Sequence, residues 1–590
     1  MKATSARNSI IIRRSSLKKL LKYMRGYEKE CILGPLFKLL EATLELLVPL
    51  VVAALIDRGI AGGDRPLVLR MALLLVLFGI VGLFFSAIAQ FFSAKAAVGF
   101  VARIRAALFS HIQTLSYAQT DTLGTSTLIA RMTGDTAQVQ SGVNLCLRLL
   151  LRSPFVVFGA MVMAFFVDVR SALLFVAVIP VLSVVVFGVM LISMPLYKKV
   201  QAKLDRLLRS TRENLSGTRV LRAFTEENEQ IRRFHVQNNE LTEEQVRVGK
   251  ISALLNPVTY VIINLAIILL IYTGAIRVEA GILTQGAVIA LYNYMSQILI
   301  ELIKLANMII NITKALASAK RIEAILETKN SQRKGAETTA GDGEEAIVFK
   351  GVSFTYPGAN EPSLSDISFS LKRGETLGII GGTGAGKSTL VQLIGGFYDI
   401  DEGSVEILGR NVNDYDASAL CKFVGMIPQK AILFRGSIGE NMRLGAPDAS
   451  DEEILAALDI AQACEIVKEK GGLDFEISQG AKNLSGGQRQ RLTIARALVA
   501  KPPILVFDDS SSALDFATEA ALRRDLSRLP KDTTRVIVSQ RAGTLLDADR
   551  ILVLDDGRIV GLGTAEELLA SCEVFREIYE SQFGEKEAEE

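Results

Sequence analysis

The stretch Gly381-Gly382-Thr383-Gly384-Ala385-Gly386-Lys387-Ser388-Thr389 gathers four glycines, a lysine and a hydroxyl directly after the apolar run Leu377 to Ile380. Glycines let a backbone wrap closely round a polyphosphate, so that successive N–H groups and the following helix N-terminus face its negative charge. Lys387 supplies a point charge to the outer phosphates, and the Ser388 hydroxyl is the usual Mg²⁺ ligand of such a loop. A second apolar run, Ile504 to Phe507, ends at Asp508, a carboxylate able to hold Mg²⁺ through water. A glycine-rich stretch alone is often a simple turn. Joined to Lys-Ser, a strand pattern and a matching acid, it specifies a loop that holds a polyphosphate with Mg²⁺.

Between the two runs lies Leu484-Ser485-Gly486-Gly487-Gln488, leading into a helix-like Leu492 to Leu498. Ser485 and the glycines open that helix and make a second anion-binding N-terminus. With Gln429 in Ile427-Pro428-Gln429 and the run Ser512-Ala513-Leu514-Asp515, the region from about residue 345 to 580 resembles the nucleotide-binding domain of ATP-binding-cassette transporters. The resemblance implies that two such domains sandwich ATP head to tail, with the phosphate loop of one and the Ser485–Gln488 segment of the other on each nucleotide. It also implies that Gln429 joins Ser388 and Asp508 at the metal. Tyr356, 25 residues before Gly381, matches the aromatic that stacks on adenine.

Two positions depart from the family pattern. The residue after the magnesium aspartate, usually a glutamate that polarises the attacking water, is Asp509. The histidine that contacts the γ-phosphate is replaced by Gln540, ahead of Arg541. Asp509 is one methylene short, and a displacement of about 1 Å can cost on the order of a hundredfold in rate. Gln540 can donate a hydrogen bond but cannot become a cation. Gln429 joins Asp509 and Gln540 as a candidate catalytic residue, and the two departures together describe a site that binds ATP and hydrolyses it slowly. The Ser485–Gln488 segment is intact and would serve the partner's nucleotide, so the resemblance points to a heterodimer with a second, different half-transporter that carries a competent site.

The apparatus must be carried by membrane elements. The 590 residues are 49% hydrophobic with a mean hydropathy of +0.32. Charge-free windows occur at Met71 to Ala94, Ser153 to Val167, Ser171 to Tyr197, Ile251 to Ile276 and Ala280 to Ile300, and Cys31 to Ile56 is broken only by Lys38, Glu41 and Glu45. A spanning helix needs about 20 apolar residues, so six spans fit, with the short Ser153 window extending past Arg152. The fold class is thus an α-helical transmembrane domain of six spans plus an α/β P-loop nucleotide-binding domain. Residues 1–30 form an N-terminal segment, 31–328 the membrane domain, 329–345 a linker and 346–590 the cassette.

Residues 95–152 and 198–250 hold 18 Lys/Arg, against four in the connections 57–65, 168–170 and 277–280. That bias places the basic connections, both termini and the cassette on the cytoplasmic side of the cell membrane. Leu17, Leu20, Leu21, Met24 and Tyr27 within Arg13 to Lys29 suggest an amphipathic helix on the inner surface. Long inner and short outer connections resemble those of exporters in the family, and imply docking segments near Thr125 to Asp135 and Arg219 to Glu226.

Substrate is less well specified. Glu41 and Glu45 share a helical face, with Lys38 one turn before Glu41. They either form an acidic wall for small cationic amphiphiles or pair with Lys38 and neighbouring helices. Asn293, Gln297, Glu301 and Lys304 make a second polar stripe, and Asn264 and Gln90 are equally ambiguous. Multidrug or lipophilic-compound export leads by resemblance; export of a lipid, peptide or siderophore-like molecule and a regulatory nucleotide-sensing subunit are the alternatives. A net charge of +3 gives no reason to expect nucleic acid. The cysteines at 31, 146, 421, 464 and 572 lack metal spacing, and His111 and His235 are expected to be solvated.

Overall fold

The computed structural model describes residues 19–330, 332 and 335–584. It divides into two compact units, one of residues up to Gln113 with Ser126–Thr328 and one of Thr114–Thr125 with Lys329 onward.

Six helices of the first unit are long and apolar enough to cross a membrane: Glu28–Ile60, Arg65–Ile112, Thr125–Val167, Val169–Ser216, Glu227–Glu279 and Gln285–Glu327. All six expected spans are present. The third continues upstream of Arg152 through the helix Thr136–Leu149. The sixth starts at Gln285 rather than Ala280, because Gly281 bends the chain at φ +69° and the Thr284 side chain then caps the helix by accepting from Ala287 N–H.

In lipid, helices associate through close packing at small residues rather than through hydrophobic burial. A Cβ at Gly142 would lie 2.2 Å from Ala315 Cβ, and one at Gly159 would lie 2.5 Å from Leu46 Cδ1. Gly286, at the start of the sixth span, faces the first: its N–H donates to Asp57 Oδ1 at 2.8 Å, and a Cβ there would meet Ala53 O at 2.4 Å. The fully buried Tyr294 donates to Leu46 O at 2.7 Å.

Three expectations are corrected here. Arg13 to Lys18 lie outside the described residues, but from Lys19 the N-terminal segment is no continuous amphipathic helix. A 3₁₀ turn at Lys22–Met24 and Gly26 at φ +86° interrupt it, Leu20 is buried, and Tyr27 packs its ring under Arg103. The docking helix is Tyr117–Leu123, upstream of Thr125 to Asp135. A capping box at Ser116 starts it, Gly124 at φ +73° ends it, and the segment Thr114–Thr125 belongs to the second unit. His111 is half-buried, with Nε2 3.0 Å from Thr328 O; His235 is exposed. The short helix Thr218–Ala223, which overlaps the other expected docking segment, has no buried residue, and Val220 and Phe224 are exposed.

The second unit is α/β. Its main sheet has six strands in the spatial order Arg558–Gly563, Arg550–Asp555, Thr376–Gly381, Thr534–Val538, Ile504–Asp508 and Val424–Ile427; the first joins antiparallel and the rest run parallel. Thr376–Gly381 and Ile504–Asp508 are buried at every position, which their unbroken apolar runs foretell. An antiparallel four-stranded sheet, including Glu345–Phe354 and Leu364–Lys372, packs its apolar face on the same core. A second cluster, including Leu492, Ile494 and Leu498, seats the helix Gly486–Val499.

Candidate functional site

Four neighbouring parallel strands deliver their carboxyl ends to one edge of the sheet, where α/β proteins bind ligands. Thr376–Gly381 runs into the phosphate loop, Val424–Ile427 into Gln429, Ile504–Asp508 into Asp508 and Asp509, and Thr534–Val538 into Gln540. The order follows from register, since Val538 pairs with both Ile379 and Asp508.

The loop requires its glycines. Gly381 has φ +155°, and a Cβ there would sit 2.1 Å from Leu554 O; Gly386, at φ +96°, is N-terminal to the helix Lys387–Ile394 and leaves no room beside Ser363 O and Leu364. Gly382, Thr383 and Gly384 form the exposed rim, Ala385 is buried beneath them, and Thr389 is buried in the helix. Lys387 is 8% exposed and donates to Gly381 O at 2.8 Å and Gly382 O at 2.6 Å. Burial lowers its pKa, with Asp509 and Asp508 opposing. A buried ammonium bonded to two loop carbonyls fits a polyanion.

Ser388 Oγ donates to Asp508 Oδ1 at 2.8 Å. Burial raises the Asp508 pKa, adjacent Asp509 raises it further, and Ser388 and Lys387 oppose. A hydroxyl and a carboxylate converging beside the loop are the oxygen donors that Mg²⁺ prefers. Gln429, by contrast, lies with Asp509: both Gln429 Nε2 and Gln540 Nε2 donate to Asp509 Oδ2, each at 3.2 Å. Asp509 is 7% exposed, and burial raises its pKa against the pull of Gln429, Lys387, Gln540 and Arg541. Its backbone is left-handed, φ +47°, a conformation that aspartate tolerates better than most residues.

Tyr356 is half-buried beside the loop helix, its hydroxyl 2.9 Å from Gln392 Oε1 and 3.2 Å from Thr389 Oγ1. Phe354 and Tyr398 meet its ring edge-on at 4.9 and 5.3 Å. Tyr398 donates to Asp121 Oδ2 at 2.5 Å, and Tyr117 stacks on Phe397 at 4.5 Å, so the docking helix sits next to the tyrosine. No motif announces these contacts.

Ser485 begins the helix Gly486–Val499 with a capping box: Gln488 N–H donates to Ser485 Oγ at 3.2 Å, and Ser485 N–H to Gln488 Oε1 at 2.9 Å. Ser485 and Gly486 are exposed and Gly487 half-buried, so this helix N-terminus lies at the surface.

In the membrane unit the polar residues pair with one another. Lys38 Nζ is 2.5 Å from Glu41 and 3.2 Å from Ser86 Oγ. Arg152, buried, donates to Glu45 at 2.5 Å and to Glu301, which also accepts from Ser153 at 2.8 Å and Lys304 at 2.9 Å. This is the geometry of the pairing alternative. Gln297 Oε1 and Arg152 Nε remain buried without a partner, and Asn293 is half-buried on the same helix. Arg152 was visible in sequence only as the charge that cuts the third span short, although an ionisable group there calls for a partner. Asn264 folds back onto Tyr260 O at 2.8 Å and Gln90 is exposed.

Residues 31–302 match the ABC transporter transmembrane region, and residues 364–512 match the ABC transporter family. The uncharacterized ABC transporter ATP-binding protein YfiB of Bacillus subtilis is 36% identical over 97% of this chain and 100% of its own length. A similarly described protein of Mycobacterium tuberculosis is 35% identical over 95% of this chain and 97% of its own. An ATP-dependent lipid A-core flippase of Blochmanniella pennsylvanica is 31% identical over 92% and 94%. In fold, the chain is similar to a bacterial Atm1-family ABC exporter with ATP bound, at a TM-score of 0.79 and 23% identity, over 95% of this chain and 99% of that one. The chain belongs to the ATP-binding-cassette transporter family, as a multi-pass half-transporter whose membrane region and nucleotide-binding cassette share one polypeptide.

Proposed function

We propose that this chain is the slow-hydrolysing subunit of a heterodimeric ATP-driven exporter. The observation that carries the reading is the environment of Asp509, whose Oδ2 accepts from two glutamine amides. An oxygen so engaged is a poor base for water, and neither amide can supply a cation to a departing phosphate. The glycine cradle and Lys387 retain the binding half of the chemistry.

In this reading the phosphate loop and Tyr356 hold ATP, while Ser388 and Asp508 supply oxygen ligands to the Mg²⁺ that neutralises phosphate charge when bound. Ser485 to Gln488, exposed or half-exposed, complete the partner's site. The cassette and both termini are cytoplasmic, following the distribution of basic residues. Nucleotide binding draws the two cassettes together, and hydrolysis at the partner's site separates them, biasing a two-state membrane path. ATPase assays on the chain alone and on its complex with a second half-transporter test this. Turnover confined to the complex supports the proposal; brisk turnover by the chain alone ends it.

Lipophilic-compound export remains the leading substrate class. Export of a lipid is the second reading, favoured by the relative described as a lipid A-core flippase. The charges around Arg152 largely balance, with Lys38 on Glu41 and Arg152 and Lys304 on Glu45 and Glu301. Such a path suits amphiphiles better than free ions. Stimulation of ATPase by candidate amphiphiles, compared with lipids, in vesicles of defined composition separates the two.

A further inference from the structure

The last helix of the cassette, Glu573–Phe583, is anchored by fully buried Phe575, which shares a core cluster with Ala542 and Leu545. Its final turn reaches the loop that carries Gln540. The Gln582 side chain accepts from Ala542 N–H at 2.8 Å and donates to the backbone carbonyl of Gln540 at 2.8 Å. Beside it, Gly543 abuts the Phe583 ring, which a Cβ at that position would approach to 3.0 Å. One side chain therefore grips the backbone on both sides of Arg541, while the Gln540 amide reaches Asp509.

We infer that Gln582 is a positioning residue for the γ-phosphate-facing loop, so that the C-terminal helix controls how long this site retains nucleotide. The inference rests on the proposed role of Gln540. Two hydrogen bonds from a primary amide fix the loop's position and direction together, because one needs an acceptor and the other a donor. The surroundings combine charged and aromatic groups. Arg541 pairs with Glu519 at 2.5 Å and lies 4.5 Å from the Phe516 ring, and Arg523 donates to Gly543 O at 2.8 Å. These groups and Gln582 line one cleft of about 470 Å³. No group in it other than Gln582 spans both Gln540 and Ala542 among the bonds of the described residues.

Gln582 is exposed, so the fold tolerates its replacement. The test is release of a fluorescent ATP analogue, mant-ATP, from the full-length chain in nanodiscs, chased with excess ATP at acidic and alkaline pH. Gln582→Ala is expected to release it about three- to tenfold faster than wild type, the effect of losing one or two neutral hydrogen bonds. Gln582→Glu keeps the acceptor but, when ionised, sets a carboxylate against the Gln540 carbonyl; protonation restores the donor. That variant should match Gln582→Ala at alkaline pH and return toward wild type on acidification, which a merely structural role would not produce. Release from Gln582→Ala at the wild-type rate, or no pH dependence in Gln582→Glu relative to wild type, overturns the inference. Since release is read as a ratio to wild type, brisk wild-type turnover would sink the slow-site proposal and leave this comparison standing.

Discussion

Gln540 Nε2 lies 3.2 Å from Asp509 Oδ2 and shares that oxygen with Gln429. The two residues that depart from the family pattern thus bond to each other. Restoring both, as Asp509→Glu with Gln540→His, is expected to speed single-turnover hydrolysis at this site by about tenfold or more, because carboxylate reach and cationic character return together. Asp509→Glu alone should gain less, since Gln540 still cannot become a cation. Quenched-flow measurement of phosphate release checks the pair, and no gain in the double variant would place the defect elsewhere.

Burial raises the pKa of both Asp508 and Asp509 above the ordinary 3.8. The folded chain therefore holds these protons more tightly than the unfolded one. Their contribution to stability is full below the unfolded value and is lost as pH rises through the raised folded values. Asp509→Asn keeps a left-handed backbone accessible and removes the buried charge. It should raise the melting temperature of the nucleotide-free chain at neutral pH and leave it unchanged in acid. Thermal unfolding at the two pH values decides it, and a drop at neutral pH would show that attraction to Lys387 outweighs burial.

Ser485→Ala removes the acceptor for Gln488 N–H and costs the helix about 1 kcal/mol. In the complex it also removes a phosphate-facing hydroxyl, for which a loss of about a hundredfold in turnover is expected at the partner's site. ATP binding to this chain alone should be unaffected. Unchanged ATPase in the complex would contradict the head-to-tail arrangement.

Arg152 holds Glu45 and Glu301 on two other spans. Arg152→Met leaves Glu301 buried with only Ser153 and Lys304 and should destabilise the membrane unit by about 3–5 kcal/mol, whereas adding Glu301→Leu should recover much of that loss. A double-mutant cycle on thermal unfolding in detergent measures the coupling. Additive effects would mean that the pair is not coupled.

The phosphate loop, the Asp508 strand and the six spans were legible because each is encoded in a contiguous run: glycines with Lys-Ser, four apolar residues before an acid, and long apolar windows with few or no charges. Arg152 with Glu301, Tyr398 with Asp121 and Gln582 with Gln540 were not, because each joins residues far apart in sequence that carry no local signal. The docking helix was misplaced for a subtler reason. Thr125 to Asp135 has the mixed surface such a helix needs, but Ser116 with Gln119 and Gly124 mark the ends of Tyr117–Leu123, and caps define a helix more sharply than surface composition does.

Gly286 closes on the first span through one N–H bond to Asp57 and leaves no space for even a methyl group against Ala53 O. A single hydrogen atom therefore sets the tightest spacing at that end of the bundle. Every other amino acid would wedge the first and sixth spans apart before any cargo arrived. Separating the two spans there would mean breaking the Gly286 bond to Asp57 and its close approach to Ala53.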